Sequence, residues 1–244
     1  MNQKGFVSLI GLILIVVVII AGVAYMTGKG SGNVIEADRE VADFNRISLS
    51  GMGNLIITQG EEEGLRIEAE DNILDKIITE VKSDTLEIKY KTSWLFFSVW
   101  PTEDVNYYID VKNLEHVMIN GSGSVTCESL TADTFGVEVN GSGKANLTLA
   151  VSELTSKISG SGDFTIMGTA TDQSLDISGA GKYMAKELVS KKADINISGS
   201  GTAEVNTEEE LDVKISGSGT VRYLGTPTIN QEISGSGKIE RLEE

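Results

Sequence analysis

The chain is poor in the residues from which most catalytic and metal sites are built. Of 244 residues, one is a cysteine, Cys127, and one a histidine, His116. That leaves no set of soft ligands for zinc and no intrachain disulfide, and a histidine-dependent triad would rest on His116 alone. Cations are scarce as well: 20 Lys and Arg stand against 36 Asp and Glu, a formal charge of −16. Such a surface repels a phosphate backbone, so nucleic acid is excluded as an expected partner. With 40% apolar and 23% charged residues the composition is globular, sized for one domain plus an appendage. It favours a binding or structural protein over an enzyme.

The appendage is N-terminal. From Phe6 to Tyr25 the chain runs FVSLIGLILIVVVIIAGVAY without a charge, and a helix of that length spans roughly 30 Å, the hydrocarbon thickness of a bilayer. The run is longer than the apolar region of a cleaved signal, although Gly22 and Ala24 would permit cleavage. Lys4 precedes it and an acidic chain follows, which places residues 1–5 in the cytoplasm and the rest outside, against the weaker pull of Lys29. Lys4-Gly5-Phe6 also resembles a type IV prepilin-like leader, but Ile10 stands where such leaders carry glutamate. Residues 26–40 read as a linker, and Thr27 to Val34, TGKGSGNV, as its flexible part. Those eight residues reach at most about 28 Å, so the folded part stays near the membrane.

Residues 41–244 carry a repeat. A small-residue triplet recurs with its first glycine at Gly51 and then at Gly121, Gly141, Gly160, Gly179, Gly199, Gly217 and Gly235. After the long first interval the spacing is 18 to 20 residues. Two residues before the glycine stand Leu49, Ile119, Val139, Ile158, Ile177, Ile197, Ile215 and Ile233, a branched aliphatic column throughout. Four residues after it come Leu55, Val125, Ala145, Phe164, Tyr183, Ala203, Val221 and Ile239. Six after it come Ile57, Cys127, Leu147, Ile166, Ala185, Val205 and Tyr223. This period of two is a strand with one buried face, and Glu138, Lys157, Asp176 and Lys214 fall on the solvated side.

One glycine bend per repeat, with the same side-chain type at each turn, predicts an all-β fold: a single-stranded parallel β-helix of about 19 residues per coil. The glycines are read as structural corners, where positive φ or close approach between coils is needed. At about 4.8 Å per coil, 200 residues would give roughly ten coils and a rod of about 50 Å, less whatever the long first interval removes.

The segment VADFNRISLSGMGNLIITQGEEEGLRIEAEDNILDKIITEVKSDTLEIKY, followed by YYIDVKNLEHVMINGSGSV, resembles the head GIN domain family of auto-transporter adhesins over about residues 40 to 244. The resemblance implies a parallel β-helix in the bacterial envelope and an adhesin role, and it carries over no catalytic residues. Met52 and Ala180 replace the central serine of their triplets, which favours a structural role for that position.

No nucleophile or phosphate-cradle motif forms at the triplets, and no cofactor or metal is expected. The acidic runs Glu61 to Glu63 and Glu208 to Glu210 read as solvated turns; weak calcium binding is the alternative. Cys127 belongs to an apolar column and His116 to an outward row.

The segment least explained by the repeat is Trp94 to Trp100, WLFFSVW, in the long interval. Trp94, Leu95, Phe96, Phe97 and Trp100 form a candidate interaction patch with three readings: a loop covering the solenoid, a protein or glycan contact, or insertion at the membrane interface.

The expected function is a membrane-anchored, extracytoplasmic, non-enzymatic adhesin-like or scaffolding module, in the periplasm or on the cell surface, with an envelope protein or glycan as partner. An envelope-stress sensor is the alternative, and a polysaccharide-acting enzyme a third class. The unpaired edges of a solenoid end also predict weak end-to-end self-association, with the charged KIERLEE terminus blunting that end.

Overall fold

The computed structural model describes residues 28–91 and 100–243. The glycine corners organise it. β2 (Arg46–Gly51) and β3 (Asn54–Gln59) flank the first corner, and β8 (His116–Gly121) runs into the second. Thereafter each coil is one long strand bent round the far side: β9 (Ser124–Gly141), β10 (Lys144–Gly160), β11 (Asp163–Gly179), β12 (Lys182–Gly199) and β13 (Thr202–Gly217). β14 (Thr220–Leu224) and β15 (Thr228–Gly235) make the next coil, and β16 (Lys238–Arg241) begins another. All these strands pair in parallel, giving a β-solenoid of about seven turns with ~19 residues each.

The corner holds the register. Gly51 pairs with Gly121, and the ladder continues through Gly141, Gly160, Gly179, Gly199 and Gly217 to Gly235 without a slip. The variation between 18 and 20 residues is absorbed on the far side, in bulges at Leu147/Leu149, Thr165/Met167 and Ala185/Val189. The three expected columns point inward: Leu49, Ile119, Ile158, Phe164, Tyr183 and Ala203 have no exposed surface. At the C-terminal end the columns open, with Ile233 at 40% exposure and Ile239 only partly covered.

Shorter than the roughly ten coils expected, the solenoid gives its long first interval to a cap. The strands there are β4 (Gly64–Glu70), β5 (Ile77–Lys82), β6 (Thr85–Tyr90) and β7 (Asn106–Val111), with the four-residue helix α1 (Asp71–Leu74) between β4 and β5. β6 lies parallel to β2, and β7 parallel to β3. Together they form a coil outside the first one in sequence. Antiparallel strands finish the end: β5 on β6, β4 on β7, and β1 (Val34–Arg39) on β4. α1 buries Ile73 and Leu74 and so closes the core between the two flanks. The purely parallel helix expected from the repeat therefore gains an antiparallel N-terminal cap.

The linker expected over residues 26–40 is corrected likewise, because β1 lies within it. Among the described residues no helix is long and apolar enough to cross a membrane. The expected anchor, Phe6 to Tyr25, lies outside the described residues.

Candidate functional site

Every expected corner glycine sits at the stacked corner, with φ from +124° at Gly179 to +140° at Gly121. The corner at Gly179 shows why both glycines of a triplet are fixed while the middle residue varies. A Cβ on Gly179 would lie 2.5 Å from the carbonyl oxygen of Gly160 in the previous coil, and one on Gly181 would lie 2.5 Å from Cγ2 of the buried Ile158. Ala180 between them is exposed, and its N–H donates to the Gly160 carbonyl at 2.8 Å. The serine N–H groups of neighbouring corners make the same bond, for example Ser200 to Gly179 at 2.8 Å. The serine hydroxyl is therefore not required for the corner.

Of the aromatic patch, Trp94, Leu95, Phe96 and Phe97 lie outside the described residues. Trp100 is described, and at 55% exposed it is the most exposed large hydrophobic residue among those described. It is held at the cap coil's corner through two backbone bonds, Gly30 N–H to the Trp100 carbonyl at 2.9 Å and Trp100 N–H to the Gly28 carbonyl at 3.0 Å.

The segment around Gly30 is docked rather than loose. Glu70, at the end of β4, is fully buried. Its carboxylate accepts the Gly32 N–H at 2.7 Å, the Thr102 N–H at 2.8 Å and the Thr102 hydroxyl at 2.5 Å. Asp71 accepts the Ser31 hydroxyl at 2.5 Å and the Asn33 amide at 3.0 Å. Asn72 donates to the Lys29 carbonyl at 2.9 Å and accepts the Ser31 N–H at 3.1 Å. The Thr102 hydroxyl holds the Glu70 carboxyl below its ordinary value against the cost of burial, and Ser31 and Asn33 do the same for Asp71. One joint thus ties residues 28–33, α1 and residues 100–102 together. No signal for it is legible in sequence, because TGKGSGNV has a linker's composition and its side-chain partners stand 38 to 43 residues away.

The outer flank of the coil halves that run into the glycine corner carries polar rows one rung apart. Thr155, Ser174, Asp194 and Asp212 form one row, between Glu153, Asp172, Lys192 and Glu210 on one side and Lys157, Asp176, Asn196 and Lys214 on the other. A shallow groove runs over the first two rows. Lys192 bonds Glu210 at 3.1 Å, and Asn196 bonds Asp176 at 3.1 Å. Burial pushes the Asp194 carboxyl up, and Asp212 and Asp176 beside it add to the shift. These carboxylates do not gather into a metal-binding group, and none of three or more such ligands occurs among the described residues.

Cys127 is a buried core residue, and burial pushes its thiol up. His116 lies on the outer row but is half-buried, which lowers its pKa; Gly136 on the neighbouring strand leaves room for the ring. Glu61 to Glu63 lie in the turn between β3 and β4, where Glu63 also accepts the Asp43 N–H at 2.8 Å, whereas Glu208 to Glu210, expected in a turn, lie within β13 with Glu208 and Glu209 solvent-facing.

No curated protein is significantly similar to the chain in sequence. Among solved structures, a "putative adhesin" from Bacteroides fragilis superimposes with a TM-score of 0.80 at 27% identity, over 88% of this chain and 99% of that one. A "putative lipid binding protein" from Parabacteroides distasonis superimposes at 0.74 and 25% identity, over 88% and 99%. A "putative adhesin" from the same species, at 0.71 and 23% identity over 88% and 100%, shares the fold. The family described as "Putative auto-transporter adhesin, head GIN domain" matches residues 43–227, well over half of the chain, and the chain belongs to that family.

Proposed function

We propose that the chain is a membrane-anchored, adhesin-like interaction module of a bacterial envelope, held by Phe6 to Tyr25 with the solenoid outside the cytoplasm. The observation that carries this reading is the outer flank: polar side chains in register, one rung apart over four coils, offer many equivalent weak contacts to an extended partner. An envelope protein or a glycan fits such a flank, with affinity spread over several coils. The family and the Bacteroides fragilis relative, described as adhesins, support the reading and its envelope setting; no enzyme appears among these relatives. The free outer edges of β15 and β16 support weak end-to-end self-association, against which a single monomeric species in sedimentation at high concentration would count.

A second reading, an envelope sensor, is favoured by the docked segment 28–33, which leaves little slack between the apolar run and the solenoid. Protease shaving of intact cells carrying a C-terminal epitope tag separates the two. Loss of the tag on intact cells is the expected result. Protection there with loss in spheroplasts would sink surface adhesion and leave an internal scaffold or sensor.

A further inference from the structure

We infer that the N-terminal cap is a bilayer-docking surface, so that the solenoid meets the lipid through its capped end and not along a flank. The inference rests on the reading of Phe6 to Tyr25 as a membrane anchor. Only Met26, Thr27 and Gly28 separate Tyr25 from Lys29, so Lys29 lies within roughly 15 Å of the end of the apolar run even if the chain is fully extended. From Lys29 onward the chain is fixed: Trp100, Glu70, Asp71 and Asn72 hold residues 28–33 across the cap through backbone, carboxylate and side-chain amide bonds. A short connection into a rigid joint keeps the cap within roughly 15 Å of the surface.

What the cap exposes suits that position. Five large hydrophobic residues among those described are exposed, and three are on the cap: Trp100, Val34 at 41% and Ile35 at 40%. Val34 pairs with Glu70, the centre of the joint, and Lys29 bridges to Trp100, so the three lie round the point from which the chain leaves. Tryptophan is enriched where a bilayer meets water, because its ring is apolar and its N–H is polar. Lys29 beside it can reach a lipid phosphate. The acidic chain as a whole is repelled by anionic lipid, so the occupant is a zwitterionic bilayer held by apolar contact and not by charge. The other two exposed hydrophobic residues, Val189 on a flank and Ile233 on the last coil, are single and distant in the strand order.

The test uses the full chain in phosphatidylcholine vesicles with and without lipid brominated on its acyl chains. The chain has two tryptophans, so Trp94→Phe leaves Trp100 as sole reporter. Two further variants, Val189→Trp and Ile233→Trp in a Trp94→Phe/Trp100→Phe background, report the flank and the far coil. Both positions are partly exposed already, and the far-ultraviolet spectrum of each variant checks folding.

The expected result is loss of most Trp100 emission in brominated vesicles and none at position 189 or 233. Vesicles that float with the chain while Trp100 stays unquenched would overturn the docking and leave the anchor standing. Quenching at position 189 as strongly as at Trp100 would mean the solenoid lies flat and would also overturn it. A chain that does not float with vesicles at all would remove the anchor reading, and the docking with it.

Discussion

A glycine at the stacked corner is constrained from two directions, by its own dihedral angles and by the coil beneath it. Gly179 has φ of +124°, and its missing Cβ would press on a backbone carbonyl that cannot swing aside. Left-handed backbone strain of about 1–2 kcal/mol and overpacking of about 1–3 kcal/mol together predict that Gly179→Ala destabilises by about 2–5 kcal/mol. Ala180→Ser, one residue away on the exposed middle position, should change stability by no more than about 0.5 kcal/mol. Urea midpoints of the two variants check this, and equal midpoints would remove the steric account of the triplet. This residue-level logic was open in the sequence because it repeats: a column seen eight times with Met52 and Ala180 as its exceptions reports which atoms matter. Glu70 occurs once, in no column, and only the fold brings it to Gly32 and Thr102.

The elements repeat this contrast. Coils from β8 onward follow the glycine column, and their order and direction could be read from spacing. The cap could not, because β1, β4 and β5 run antiparallel and the coil of β6 and β7 sits outside its predecessor in sequence. Apart from the β5–β6 hairpin, which turns at Ser83 and Asp84, these pairings span 26 to 52 residues and leave no local trace. The cap also guards its edges by means that composition hides: on the edge strand β5, Glu80 pairs with Lys82 at 2.7 Å and with Lys89 of β6, and these two lysines hold its carboxyl down to about 2.

The joint beside this hairpin depends on carboxylates whose folded pKa values are depressed. The stability they contribute is present above their ordinary values of 4.5 for Glu70 and 3.8 for Asp71, and is lost as pH falls through the lower folded values. Amides of residues 28–33 and Thr102 should therefore lose protection on acidification through that range, after correction for intrinsic exchange, while the β10 to β12 amides keep theirs. At neutral pH, Glu70→Gln should open the same segment, because an amide group turned toward three donors can accept from fewer of them, and trypsin should then cut after Lys29 faster than in the parent. Unchanged cleavage would mean that Glu70 does not hold the segment.

For the whole molecule, a solenoid is close to one-dimensional, and the stability of each coil is its own plus that of its two interfaces. The two ends are unequal here. At the N-terminal end β1, β4, β5 and α1 cover the core, and Ile47, Ile67, Ile73 and Leu86 have no exposed surface. At the C-terminal end β15 and β16 have one neighbour each, and β15 is exposed along nearly its whole length. Opening the last coil breaks one interface, whereas opening a middle coil breaks two, so hydrogen exchange should be fastest in β15 and β16 and slowest in β10 to β12.

The same inequality grades the effect of one substitution. Gly235 has the φ of Gly179, +124°, and a Cβ there would meet the Gly217 carbonyl just as closely. In the last coil, however, the strain is relieved by local opening, and its cost cannot exceed the free energy of that opening. Gly235→Ala should therefore lower the urea midpoint less than Gly179→Ala and appear instead as faster exchange confined to β15 and β16. Equal midpoint losses would show that the last coil does not open on its own, and that the solenoid unfolds as a single cooperative unit from cap to open end.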